Sequence, residues 1–130
     1  MYTDRIQDTA VIIENKIIKG PSFQLRTTHE GKIYDADIER NIVFTKGTPR
    51  ILRKLNGTVL SLLTGGGSNN NYWHWLYNVL PRLKILSEQH DLTKIDYFLF
   101  PSLSEKFQNE TLDNLNIERE KRISSVRFRH

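Results

Sequence analysis

Two short apolar runs, Thr58–Leu63 and Asp96–Phe100, stand on either side of a helical stretch, and this succession constrains the fold more than any other feature of the chain. Each run is too short for a helix and too continuously apolar for a half-exposed strand, so both predict strands covered on two faces. Between them, Tyr72, Leu76, Val79, Leu83 and Leu86 recur at steps of three and four, which predicts an amphipathic helix over Tyr72–Gln89 with those residues on its core face. Pro81 falls inside it; a proline lacks the amide hydrogen and crowds the preceding turn, so a kink near Asn78–Leu80 or a break into two helices is expected. A polar helix around Ser104–Leu115 and a last strand at Arg122–Phe128 complete the order β-α-β-α-β. That order predicts an α/β fold in which residues 53–130 form a Rossmann-like half, a parallel sheet covered by helices.

Residues 1–52 follow a different pattern. Thr9–Lys19 is rich in β-branched residues and ends at Gly20-Pro21, which predicts one strand and a turn. Ser22–Thr28 and Lys32–Asp35, joined through His29-Glu30-Gly31, predict a hairpin. Asn41–Thr45 predicts one more strand before the loop Lys46-Gly47-Thr48-Pro49. The whole segment reads as a small β-rich antiparallel meander.

The 130 residues, 38% of them hydrophobic, suffice for a real core but not for a two-lobed enzyme. No run approaches the roughly 18 apolar residues of a membrane-spanning helix. The start Met1-Tyr-Thr-Asp-Arg-Ile lacks the pattern of a secretory signal, so the cytoplasm is the expected compartment, with at most peripheral contact at the inner face of the cell membrane. The absence of cysteine excludes disulfides, thiolate metal sites and cysteine nucleophiles. The net charge of +4 is concentrated in residues 118–130, where five basic residues meet two acidic ones. Such a tail reads as a solvated chain end, and no aromatic-basic interleaving supports a nucleic-acid partner.

The chemistry concentrates in Gly65–Leu86. A strand end, a glycine and asparagine loop and a helix N-terminus follow one another there, and in open α/β sheets ligands bind at the carboxyl ends of strands. The loop has neither the Lys-Ser/Thr ending of a P-loop nor the Gly-x-Gly-x-x-Gly spacing of a dinucleotide site. With Asn70 or Asn71 as the helix cap, His74 falls in the first turn, and a neutral imidazole in that position can accept a proton from a hydroxyl. His74 and Asn78, four apart, share a face, while Trp73 and Trp75 flank the histidine, where they either stack on sugar rings or fill the core. Glu110 and Asp113 read as a solvated helix face, and no metal-ligand spacing is present.

Asn71-Tyr72-Trp73-His74-Trp75-Leu76 followed by Leu80-Pro81-Arg82-Leu83 resembles the Asn-Tyr-x-His-Trp-Leu…Leu-Pro-Arg-Leu signature of glycosyltransferase family 61, the capsular polysaccharide biosynthesis type. Asp96-Tyr97-Phe98-Leu99-Phe100-Pro101 is similar to that family's strand ending in proline, and Phe107–Leu112 with Leu115-Asn116-Ile117 to its next helix. The resemblance runs from about residue 58 to the C-terminus. It implies the first lobe of a GT-B enzyme that transfers sugar with inversion from a nucleotide sugar to a glycan acceptor in surface polysaccharide assembly, without an obligatory metal or other cofactor. It also implies roles: His74 as base or acceptor-orienting residue, with Gly66, Gly67, Asn71, Tyr72, Trp75, Asn78 and Arg82 around the substrate, Arg82 facing the cleft or bracing the kink. The donor lobe has no counterpart in these residues, so the expectation is a fragment, a truncated reading frame or one part of a split enzyme, inactive alone and prone to self-association through an uncovered cleft wall. The alternative is a non-catalytic module in which Tyr72, Trp73 and Trp75 hold a glycan or a partner protein.

Overall fold

The computed structural model describes residues 2–4, 8–19, 22–27, 33–35, 39, 43–44, 47, 54–63 and 70–125. The chain is mixed α/β with small sheets and divides into two compact units, Met1–Lys54 and Leu55–His130. Among the described residues no helix is long and apolar enough to cross a membrane.

In the first unit β1 (Tyr2–Asp4), β2 (Asp8–Ala10), β5 (Phe23–Thr27) and β6 (Ile33–Asp35) make an antiparallel sheet in that order. β5 and β6 pair from Thr27↔Ile33 to Leu25↔Asp35, the predicted hairpin. The predicted strand Thr9–Lys19 is not continuous. It folds back on itself as β3 (Ile12–Ile13) and β4 (Lys16–Ile17) around Glu14 and Asn15, whose φ values of 48° and 61° are those of a two-residue hairpin turn. The predicted strand Asn41–Thr45 is also corrected: Val43 and Phe44 are helical. The Gly47 N–H donates to the Val43 carbonyl at 2.9 Å, and Gly47, at φ 73°, supplies the left-handed residue that ends a helical turn.

The second unit is built on three parallel strands, β7 (Val59–Ser61), β8 (Tyr97–Phe100) and β9 (Arg122–Ser124), with β8 in the middle. Leu60 lies opposite Phe98, and Phe98 opposite Arg122. β8 alternates half-buried Tyr97 and Leu99 with buried Phe98 and Phe100. Two helical runs connect the strands. The first comprises α1 (Tyr72–His74), a π-helical stretch (Trp75–Val79) and α2 (Leu80–Ser87). The second is α3 (Lys106–Asn114).

The π stretch is where the chain absorbs Pro81. The Leu80 N–H reaches back five residues to the Trp75 carbonyl, so the wider turn ends immediately before the proline, which takes a first-turn position of α2 that needs no amide hydrogen. The extra residue per turn rotates the preceding side chains. The row that meets the core is Trp75, Val79 and Leu83, at steps of four, and with Leu62, Ile95, Phe98, Phe100, Leu112 and Ile117 it forms the hydrophobic core. The predicted core face is corrected accordingly: Tyr72 is exposed and Leu76 only half-buried.

α3 is closed at both ends by its own residues. Glu105 and Gln108 exchange side-chain and backbone hydrogen bonds as a capping box. At the other end Asn116, at φ 55°, lets the Ile117 N–H return to the Leu112 carbonyl at 3.0 Å and the Asn116 N–H to the Asp113 carbonyl at 3.0 Å, a Schellman stop. Asp113 is not the solvated carboxylate its spacing suggested. It pairs with Arg119 and with the buried Arg122, each at 2.6 Å, while Glu110 pairs with Lys106 on the open face.

The entry to β7 is locked in a similar way. Asp96 Oδ2 accepts the Thr58 N–H at 2.7 Å, and Gly57 passes beneath that carboxylate at φ 136°. A methyl group on Gly57 would lie 2.3 Å from Asp96 Oδ2. Gly57→Ala therefore combines a forbidden backbone angle with a collision, and we expect a loss of about 2 kcal/mol or more in urea denaturation of the whole chain. A midpoint unchanged from the parent protein would show that this lock carries no stability.

Candidate functional site at the carboxyl edge of the parallel sheet

The start of the first helical run and the loop leaving β8 bring a group of hydrogen-bonded polar side chains together at the carboxyl edge of the parallel sheet. Asn71 is the helix cap: its Oδ1 accepts the Trp73 N–H at 3.0 Å and the His74 N–H at 3.4 Å. The Trp75 N–H continues the helix to the Asn71 carbonyl at 3.0 Å. His74, half-buried in this first turn, has Nδ1 at 3.4 Å from Asn78 Oδ1. In the tautomer with hydrogen on Nδ1, that contact is a hydrogen bond and Nε2 keeps its lone pair as an acceptor.

The loop after β8 completes this edge. Ser102, 3% exposed, and Ser104 have their hydroxyls 2.9 Å apart, and the Ser104 N–H donates to Ser102 Oγ at 3.2 Å. Ser104 Oγ also lies 3.4 Å from Asn70 Oδ1, so the β8 exit touches the residue just before the helix cap. Just after β9, Ser125 Oγ donates to the Pro101 carbonyl at 2.6 Å and its N–H to the Phe100 carbonyl at 2.9 Å. Sequence reasoning passed over these serines. The signal was the position of Ser102, Ser104 and Ser125 one to four residues after a buried strand, where short hydroxyl side chains satisfy the backbone as strands end.

The residues named from the sequence do not all meet here. Gly66 and Gly67 lie outside the described residues. Asn71, His74 and Asn78 are brought together on one side of the helix. Tyr72 is exposed and sets its ring edge against Phe107, centroids 5.0 Å apart and planes at 82°. Arg82 donates from Nη1 to the Leu63 carbonyl at 3.1 Å, tying the helix to the chain leaving β7 rather than bracing the carbonyls of the π stretch. Trp75 is corrected outright. It is fully buried, packed against Phe100 and Phe107, and no ligand reaches its ring. The tryptophan on the surface is Trp73.

Among the described residues no group of three or more histidine, aspartate or glutamate side chains is placed to hold a metal ion. The arrangement offers a proton acceptor at His74, an amide beside it, and hydroxyls at the neighbouring strand exit. No model of a known protein family, no curated protein and no solved structure matches this chain.

Proposed function

We propose that the chain is the acceptor-side, N-terminal portion of an inverting glycosyltransferase of the family 61 type, with residues 53–130 as its Rossmann-like half. The observation that carries the reading is the His74–Asn78 pair at a helix N-terminus beside the carboxyl edge of a parallel sheet, within a segment that resembles that family's signature. In this reading an acceptor hydroxyl attacks the anomeric carbon of a nucleotide sugar from the face opposite the leaving group. The new C–O bond forms as the bond to the nucleoside diphosphate breaks, and the hydroxyl proton passes to His74 Nε2. With hydrogen on Nδ1 the imidazole donates to Asn78 Oδ1, and Nε2 is then the nitrogen that accepts. Asn71 orders the turn that presents the histidine. In this reading residues 1–130 hold the acceptor, and the nucleotide sugar is held by a donor lobe of the GT-B type.

The test is saturation-transfer NMR on the whole chain with short oligosaccharides and nucleotide sugars. We expect oligosaccharide signals in the parent protein, little response from nucleotide sugars, and about tenfold weaker oligosaccharide binding in His74→Ala, the order of one hydrogen bond to a neutral partner. Oligosaccharide binding that His74→Ala leaves untouched would overturn the role of His74, and no oligosaccharide binding at all would overturn the acceptor-side reading.

A further inference from the structure

We infer that Pro81 is a positioning residue for His74: from about two turns away it holds the helix in the π register that brings His74 into line with Asn78, and the chemical use of that placement rests on the acceptor reading. A π turn takes roughly one residue more than an α turn, so side chains four apart stand almost directly above one another instead of being offset by about 40°. Three such pairs are present. Trp75 and Val79 are both fully buried, His74 Nδ1 lies 3.4 Å from Asn78 Oδ1, and the rings of Trp73 and Tyr77 have centroids 4.3 Å apart. The wide turn closes at Leu80, whose N–H bonds to the Trp75 carbonyl five residues back.

Hydrophobicity does not select this register. Apolar residues are present for both: Trp75, Val79 and Leu83 make the buried row of the π form, while Tyr72, Leu76, Val79 and Leu83 would make that of an uninterrupted α-helix. The Asn71 cap uses Oδ1 and the N–H groups of Trp73 and His74, ahead of the wide turn, and is compatible with either register. Pro81 does discriminate. In an unbroken α-helix its ring would run into the Tyr77 carbonyl four residues back, and it has no amide hydrogen to offer that carbonyl. With the π turn closed at Leu80, Pro81 falls instead in the first turn of α2, where a proline is tolerated. Without the extra residue in the turn, residues 72–75 would rotate by roughly 70–100° about the helix axis relative to α2. Tyr72 and Leu76 would then move to the core side, and His74 would leave the row of Asn78. Pro81 thus acts on the imidazole through the register of the backbone.

The experiment compares the whole parent chain with Pro81→Ala, Pro81→Ser and Asn78→Ala by NMR. Three quantities are read: the His74 tautomer from its ring-nitrogen shifts in mildly alkaline buffer, cross-relaxation between the Trp73 and Tyr77 rings, and saturation transfer to short oligosaccharides. Alanine and serine both supply the missing amide hydrogen and are ordinary helix residues, so both Pro81 variants keep the helical circular dichroism of the parent. In the parent we expect hydrogen on Nδ1 and strong Trp73–Tyr77 cross-relaxation. Asn78→Ala should lower the ratio of Nδ1–H to Nε2–H about tenfold, the order of one hydrogen bond, and leave the ring contact in place. Both Pro81 variants should lower that ratio as far, lose the ring contact, and weaken oligosaccharide binding as much as Asn78→Ala does. Parent-like tautomer and ring contact in the Pro81 variants overturn the inference, and so does a lost ring contact with the tautomer of the parent retained. If the Pro81 variants shift the tautomer and lose the ring contact while the parent binds no oligosaccharide, the positioning of His74 stands and the acceptor reading falls. Hydrogen on Nε2 of His74 in the parent overturns both.

Discussion

Replacing Trp75 by alanine is expected to destabilise the second unit by about 4 kcal/mol, the range for emptying a buried aromatic site, while Trp73→Ala changes stability by about 0.5 kcal/mol or less. Trp75 is fully buried between Phe100 of the central strand and Phe107 of α3, so its indole bridges sheet and helix. Its removal leaves a cavity that neither rigid neighbour can close. Trp75→Phe separates two contributions. The indole Nε1 is buried without a hydrogen-bond partner among the described residues, a desolvated donor that disfavours the fold by about 1–3 kcal/mol. Phenylalanine loses part of the ring but also loses that donor, so it should cost less than half as much as alanine. Urea denaturation of the whole chain, followed through the amide signals of Phe98 and Leu99, measures all three. If Trp73→Ala proved the more damaging variant, the buried row would be misassigned.

The two adjacent tryptophans also show where the sequence could be read and where it could not. Apolar runs bounded by turn residues were enough to place β7 and β8, and the alternation with helical periodicity was enough for a parallel three-stranded sheet with two helical runs. Asn71 could be recognised as a cap candidate because capping depends on one side chain and the next three residues. The core face of the first helix could not be read, because Pro81 announces an interruption but not its form, and a widened π turn changes which residues meet the core. The π stretch exchanges Tyr72 and Leu76 for Trp75 on the buried side, although each of these residues is compatible with either place by hydrophobicity. The hairpin at Glu14-Asn15 was hidden for a related reason. Ile12, Ile13, Ile17 and Ile18 read as one strand, and only the ability of asparagine to take positive φ marked the reversal. The partners of Asp113 lie six and nine residues away, beyond any helical spacing rule, and depend on how the chain turns at Asn116.

That last contact carries the second large effect: Arg122→Ala should destabilise the fold by about 3 kcal/mol, the cost of leaving the partners of a buried cation unpaired. The Arg122 side chain is 4% exposed. It donates from Nε to the Ile117 carbonyl at 2.9 Å, from Nη1 to the Asn109 carbonyl at 3.4 Å and from Nη2 to Asp113 and again to Ile117. One guanidinium in β9 thus satisfies carbonyls in and after α3 and fixes that helix to the edge strand. Arg122→Lys keeps the charge but not the planar fork, and should recover less than half of the loss. The same cluster sets a pH dependence. Hydrogen bonds from Arg119, the larger influence, and from Arg122 lower the Asp113 carboxyl from 3.8 to about 2. A depressed carboxyl stabilises the fold where it is charged, so its contribution is complete above about pH 4 and is lost as the pH falls toward 2. Asp113→Asn lacks that charge at every pH. The gap in urea midpoint between parent and Asp113→Asn should therefore be widest at neutral pH and close between pH 4 and pH 2; a gap that stayed constant would mean that the arginines hold Asp113 by geometry alone, with no stabilisation from its charge.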